Sequence, residues 1–283
     1  MRILAVTNIK GGVGKTTTAV NLAYLSAAAG WSTVLWDLDA QGAATYTLQV
    51  DPRERISAGK LASGKRELPE FVQPTRYANL DLLPSDLSYR NFDVRLAEHK
   101  QPVARLLKMS RPLRESHDAL ILDCPPGISL LSESVLRAAD AIVVPLVPTP
   151  LSVRMLEQLR DFVIAEGWTD LLLLPFFAMV DRRRALHLET IASTRVAFPE
   201  MLATEVPYWS EIERMSARRA PLPAFAPHSP AAQIYAALWA EITRRMRWPA
   251  RRSGPARSAA SRVATSADAT RADRVTTGDR RLH

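Results

Sequence analysis

Lys10-Gly11-Gly12-Val13-Gly14-Lys15-Thr16-Thr17 follows a short apolar run, Arg2 to Thr7, and precedes a helix-compatible stretch from Thr17 to Ala29. That order reads as strand, glycine turn, helix. Glycines let backbone N–H groups turn inward around phosphate oxygens, and the N-terminus of the following helix adds a favourable dipole. Lys15 supplies a point charge, and the Thr16 hydroxyl can ligate Mg²⁺. The usual spacing of such loops, Gly-x-x-x-x-Gly-Lys-Ser/Thr, is not met at its first position, where Ile9 stands. The loop instead carries a further lysine, Lys10.

A phosphate cradle needs a metal and a means of aiming water, so carboxylates should close the neighbouring strands. Outward from the loop, further apolar runs occupy Thr33 to Trp36, Leu80 to Leu83, Ala119 to Leu122, Ala141 to Val147, and Leu171 to Val180, the last interrupted by Pro175. The first of these closes with Asp37 and Asp39, and the third with Asp123. Helix-compatible segments lie between them: Pro102 to Arg114, Leu130 to Ala138, Ser152 to Ala165, Leu186 to Val196, Glu211 to Arg218, and Pro230 to Trp248. Alternation of this kind predicts an α/β fold, a doubly wound and mostly parallel sheet with helices on both faces. Such sheets bind ligands at the carboxyl edge, where all three acids would project. Val50 to Arg76, with mixed charge, Pro and Gly, supports only a weak helix.

With 283 residues, 47% hydrophobic and 23% charged, the chain can bury a full core, which excludes disorder over most of its length. One domain over residues 1–248 and an Arg-rich tail over 249–283 fit the pattern. The net charge is +8, and the stretch from Arg247 to His283 holds nine Arg against three Asp, with almost no large apolar residue. That tail cannot offset its ordering entropy and is expected to be disordered, either a solvated extension or an arm that touches DNA. A single cysteine, Cys124, excludes an intramolecular disulfide and cannot by itself ligate an iron–sulfur cluster or a structural zinc ion. The uncharged run from Thr16 to Trp36 carries four Thr, two Ser, Asn21 and Gly30, and does not read as a membrane span. No signal peptide is apparent, and a cytoplasmic location is expected.

These residues together resemble the ParA/MinD family of deviant Walker ATPases over roughly residues 2–247. The glycine loop with Thr7 and Asn8 resembles the family's signature loop. Asp37-Leu38-Asp39-Ala40-Gln41-Gly42-Ala43-Ala44-Thr45 resembles its first switch, with Ala40 where Pro is usual and Ala43 where Asn is usual. Leu122-Asp123-Cys124-Pro125-Pro126 resembles its Walker B segment and second switch. The resemblance implies that Lys15 and the backbone of Gly11, Gly12, Val13, Gly14, Thr16 and Thr17 hold ATP phosphates. It implies a Mg²⁺ site at Thr16, Asp39 and Asp123, with Asp39 orienting the attacking water. Lys10 would cross into the partner's nucleotide when two monomers sandwich two ATP molecules. Met179, Asp181 and Arg182 mark where the family places the adenine.

Within the family, the chain lacks an amphipathic membrane tail after residue 248, the second cysteine of nitrogenase-reductase relatives, and room for a DNA-reading domain before the loop. The short ParA type remains. It implies a homodimer with ATP, double-stranded DNA bound without sequence preference, a ParB-like activator and association with the nucleoid, in the service of DNA segregation. The candidate DNA contacts are Arg195, Arg214, Arg218 and Arg219. A non-DNA cargo moved by the same ATPase, or an amide-forming synthetase on the same loop, are the alternative readings.

Overall fold

Ile3, Leu4, Ala5 and Val6 are all fully buried, as a strand covered on both faces requires. In the computed structural model, which describes residues 1–51, 61 and 66–249, they form strand β1 (Arg2–Val6). The remaining strands are β2 (Thr33–Asp37), β3 (Gln73–Pro74), β4 (Leu80–Leu83), β5 (Ala119–Asp123), β6 (Ala141–Leu146), β7 (Leu172–Val180) and β8 (Val206–Pro207). They make one sheet in the order β3-β4-β2-β5-β1-β6-β7-β8. Every pairing is parallel except β3 with β4, as expected from the alternating sequence pattern.

The helices are α1 (Lys15–Ala28), α2 (Ala43–Thr47), α3 (Phe92–Ala97), α4 (Pro102–Ser110), α5 (Leu130–Ala138), α6 (Pro150–Ala165), α7 (Ala185–Ala197), α8 (Ser210–Arg218), α9 (Leu222–Phe225) and α10 (Pro230–Arg245). Ile3 and Ala5 pack with Phe92, Leu106, Leu131, Leu156 and Ile191 of α3 to α7. Leu4 and Val6 pack with Ala19, Ala44, Met215, Leu222 and Leu238 of α1, α2, α8, α9 and α10 on the opposite face.

Three expectations change. The run through Pro175 is one continuous strand. The Pro175 carbonyl accepts from the Leu202 amide at 2.8 Å on the side away from β6, and in a parallel strand its nitrogen faces that same side, so the missing N–H breaks no β6–β7 bond. The helix expected from Pro102 to Arg114 ends at Ser110 and continues as a 3₁₀ turn, Arg111–Glu115, because Pro112 has no amide proton to give. In the described part of the weak Val50 to Arg76 segment lie a 3₁₀ turn, Leu68–Phe71, and the edge strand β3. The rest of that segment and residues 250–283, which hold nearly all of the expected tail, lie outside the described residues.

Trp36 shows how the sheet and its helical cover are joined. It is fully buried, stacks near Phe92 of α3 with ring centroids 6.5 Å apart, and donates its indole N–H to the Tyr89 hydroxyl at 3.3 Å. Trp36→Phe keeps the ring contact but leaves a buried hydroxyl without its donor, which costs about 1–3 kcal/mol. Urea unfolding should show the midpoint falling at unchanged slope, and an unchanged midpoint would mean that the hydroxyl finds another partner.

Candidate functional site

The carboxyl ends of β1, β2 and β5 meet at one point on the sheet edge. The register places Asp123 beside Val6 on one side and beside Asp37 on the other. From β1 the chain turns through the glycine loop into α1. Gly12 and Gly14 have φ of +71° and +89°, values that a β-carbon disfavours, so glycine is required there. A β-carbon built at Gly11, Gly12 or Gly14 would meet nothing within 4 Å, which leaves an open cradle over the first turn of α1. Asn8 holds the loop in place, donating to the Pro145 carbonyl at 2.7 Å and accepting from the Lys10 amide at 2.9 Å. The Gly127 amide donates to the Ile9 carbonyl at 2.9 Å, which ties the loop to the segment after Asp123.

Lys15 is buried, and its ammonium donates to the Lys10 carbonyl at 3.0 Å. Burial pulls its pKa below the ordinary value, while Asp123, Cys124 and Asp39 hold it up. Asp123 is fully buried, and neither of its carboxylate oxygens has a hydrogen-bond donor among the described residues. The Thr16 hydroxyl is close enough to lower its pKa, but burial and the neighbouring Asp37 push it well up. A buried carboxylate left this way is costly unless a cation or its hydration shell completes it. Among the described residues no three His, Cys, Asp or Glu side chains gather to hold a metal on their own. The residues present therefore fit a Mg²⁺ ion that takes most of its ligands from phosphates and water.

Asp37 does different work from its neighbour. Buried between strands, it accepts the Thr45 amide and hydroxyl, each at 2.8 Å, and the Asp39 amide at 3.2 Å. Burial raises its pKa against these donors. The Thr45 hydroxyl also accepts from the Ser85 amide at 3.0 Å, which pins α2 to the ends of β2 and β4. Asp39, half-buried between Asp37 and α2, accepts from the Gln41 amide at 2.9 Å. The structure thus brings Lys10, Lys15, Thr16, Asp39 and Asp123 to one edge. Cys124, the single cysteine, is buried there with its thiol pKa pushed up by desolvation.

Beside the cradle lies a cleft of about 100 Å³ lined by Val13, Gly14, Thr17, Met179, Pro207 and Trp209 among others. Met179 reaches it from a bulge where the β7–β8 register shifts, with φ of +56°. Asp181 and Arg182, expected with it, are not among the cleft's lining residues. Asp181 receives both ends of the Arg183 guanidinium, at 2.9 and 3.0 Å, which holds its pKa down to about 2. Arg182 pairs with Glu205 at 2.8 Å. Pro207, Tyr208 and Trp209 were not anticipated. The one sequence signal for them is an aromatic pair directly before the α8 segment.

The four candidate DNA arginines separate. Arg214 and Arg218 are exposed on α8 with no ion pair among the described residues. Arg195 is spent on the Ala203 carbonyl at 2.9 Å and Glu205 at 3.1 Å. Arg219 donates to the Tyr46 carbonyl at 3.1 Å. Both are engaged within the chain, unlike Arg214 and Arg218.

The profile of the AAA domain family matches residues 1–165. Soj of Bacillus subtilis, a sporulation initiation inhibitor protein, is 28% identical over 247 residues, 85% of this chain and 98% of its own length. The chromosome partitioning protein ParA of Myxococcus xanthus is 37% identical over 147 residues, 51% of this chain and 52% of its own. The chain belongs to the ParA/MinD family of P-loop ATPases. The ParA/MinD fold extends to cobyrinic acid a,c-diamide synthase of Mycobacterium smegmatis, solved with ADP and magnesium. Its TM-score is 0.73 at 24% identity, over 91% of this chain and 99% of that one. As a ParA-type ATPase this chain has no described helix long and apolar enough to cross a membrane.

Proposed function

We propose that this ATPase binds ATP with Mg²⁺, pairs with a second copy across two nucleotides, and then holds double-stranded DNA without sequence preference until a ParB-like partner stimulates hydrolysis. The fully buried Asp123 carboxyl beside the open glycine cradle carries the reading: its burial pushes its pKa up, and a cation bound at the cradle is what would let it ionise there. Gly11 to Thr17 and Lys15 hold the phosphates, and Thr16 ligates Mg²⁺ with Asp123 behind it. Mg²⁺ held there would supply positive charge against the charge that develops on the phosphates. Asp39 orients the attacking water. Lys10, whose ammonium has no partner among the described residues, reaches the nucleotide of the second copy and makes dimerisation depend on ATP. Met179, Pro207 and Trp209 take the base.

Arg214 and Arg218 supply the DNA face, and with it the association with the nucleoid. Phosphate contacts carry such binding without reading bases. The test is binding of the full chain to random-sequence duplex with ATP, ADP or no nucleotide at two salt concentrations. Binding should require ATP and weaken with salt. Arg214→Ala and Arg218→Ala should each flatten the slope of log K against log salt by about 0.9, the value of one phosphate contact. Binding that ignores the nucleotide and survives both replacements would overturn the DNA face assigned to α8. Stimulation of ATP turnover by DNA would separate a partition ATPase from an amide-forming synthetase on the same fold, which has no use for DNA.

A further inference from the structure

The contact between α2 and α8 is used by neither the phosphate site nor the DNA face. Arg219 caps α8 in the left-handed conformation, with φ of +49°, at a position where glycine or asparagine is usual. Its Nε donates to the Tyr46 carbonyl at 3.1 Å, and its guanidinium lies 4.3 Å from the centre of the Tyr46 ring. Its own carbonyl accepts from Nε2 of Gln49 and Nη2 of Arg76, each at 2.9 Å. Arg219 therefore holds both Tyr46 and Gln49, at the end of α2.

Helix α2 has five residues, far fewer than the roughly 12–15 a helix needs to persist alone. Its place is set by what grips it: Asp37 and Ser85 through Thr45 near its middle, and Arg219 at its end. From that end a ladder of backbone bonds runs back to the acid. The Tyr46 amide donates to the Gly42 carbonyl at 2.8 Å, and the Gly42 amide donates to the Asp39 carbonyl at 2.9 Å. Helix α8 is tied in turn to α1, the helix that follows the phosphate loop. Asn21 contacts Met215 of α8 through its side-chain amide at 3.2 Å and accepts the Leu222 amide at 2.9 Å.

We propose that Arg219 is a positioning residue for ATP hydrolysis: by clasping Tyr46 it fixes α2, and through α2 the carboxylate of Asp39. The inference rests on the role given to Asp39 above, and it makes α8 the element through which an event on the arginine face is felt at the attacking water. By linkage the reverse also holds, so the nucleotide state sets the affinity of that face.

Arg219→Gly in the full chain removes the clasp while suiting the left-handed backbone, so the cap of α8 survives. Without DNA, kcat for ATP should fall about tenfold, short of the 10²-fold that a 1 Å misplacement of reacting groups can cost, while the Kd for ATP stays within about twofold. Tyr46→Leu removes the ring contact but keeps the carbonyl to which Arg219 donates, so its loss should be smaller, and the double variant should be no worse than Arg219→Gly alone, as expected for one shared contact. Ser216→Ala, on the exposed side of α8, should leave kcat unchanged. Hydrogen exchange at the amides of residues 44–49 should quicken in nucleotide-free Arg219→Gly, which reads the clasp without any turnover. Unchanged kcat in Arg219→Gly overturns the proposal, as does a loss confined to DNA affinity with a flatter salt slope, the signature of a phosphate contact. Unchanged exchange overturns the clasp. An absence of turnover in the wild-type protein overturns the reading of Asp39 and leaves the exchange result standing.

Discussion

Lys15→Ala is expected to abolish ATP binding, with affinity lowered by more than about 100-fold in calorimetric titration. A charge-assisted hydrogen bond contributes about 1.5–3 kcal/mol, each 1.4 kcal/mol is tenfold, and a lysine at this point of the loop reaches two phosphates. Its surroundings sharpen the effect. The ammonium is already desolvated beside the Asp123 carboxylate, so it gives up little water when a phosphate arrives, and its removal would leave incoming phosphate charge facing buried acids without a cation. Lys15→Arg should not rescue binding, since a planar fork cannot occupy the place of a buried point charge whose one protein contact is the Lys10 carbonyl. The nucleotide-free fold should survive the alanine variant, and circular dichroism would confirm it. Titration with near wild-type affinity would remove Lys15 from the phosphate site.

Asp39→Ala should separate binding from turnover. ATP affinity should change little, because the phosphates are held by the glycine loop and Lys15, whereas kcat should fall by about 10²–10⁴, the range for a group that positions a proton or water in the transition state. The ATP-bound dimer should then accumulate in sizing experiments and remain on DNA. The geometry argues for this split. Asp39 gives one oxygen to the Gln41 amide and keeps the other without a partner among the described residues, whereas Asp37 is fully engaged with Thr45 and the Asp39 amide. Asp37→Ala should therefore loosen α2 and lower stability as well as turnover, a combined loss that Asp39→Ala should not show. Normal turnover in Asp39→Ala would end its assignment as the water-orienting group.

Most of the sheet was legible because each inner strand is a short apolar run closed by a turn signal, buried on both faces and therefore without polar alternation. The two-residue strands β3 and β8 were not, since nothing local distinguishes Gln73-Pro74 or Val206-Pro207 from loop. Pro175 misled for a related reason: proline excludes a strand only where its nitrogen must donate, and which side of β7 lacks a partner is a property of the assembled sheet. Helix α2 was hidden because Ala43-Ala44-Thr45-Tyr46-Thr47 is too short for periodicity and owes its existence to Asp37 and Arg219.

At the site, the cradle, Lys15, Asp39 and Asp123 follow from spacing on strand ends. Trp209 does not, because it reaches Val13 and Gly14 only through the pairing of β8 with β7, some 195 positions along the chain. For the arginines, sequence gives charge but not employment. Arg218 and Arg219 are neighbours in sequence, yet one is exposed with no ion pair among the described residues and the other is bound to Tyr46.

The place of β1 in the sheet has a consequence for how the molecule is made. Its two neighbours are β5 and β6, whose first residues are Ala119 and Ala141. Strand β1 therefore has no partner until well over a hundred further residues have been synthesised, roughly 6–25 s at about 5–20 residues per second. During that interval Ile3 to Val6 form an unpaired β-prone edge, and pairings of such long sequence separation are slow to close. A nascent chain cannot use nucleotide to guide its own early folding, because the cradle has no floor before β5 arrives. Holding β1 apart from other chains falls to whatever meets it at the exit tunnel.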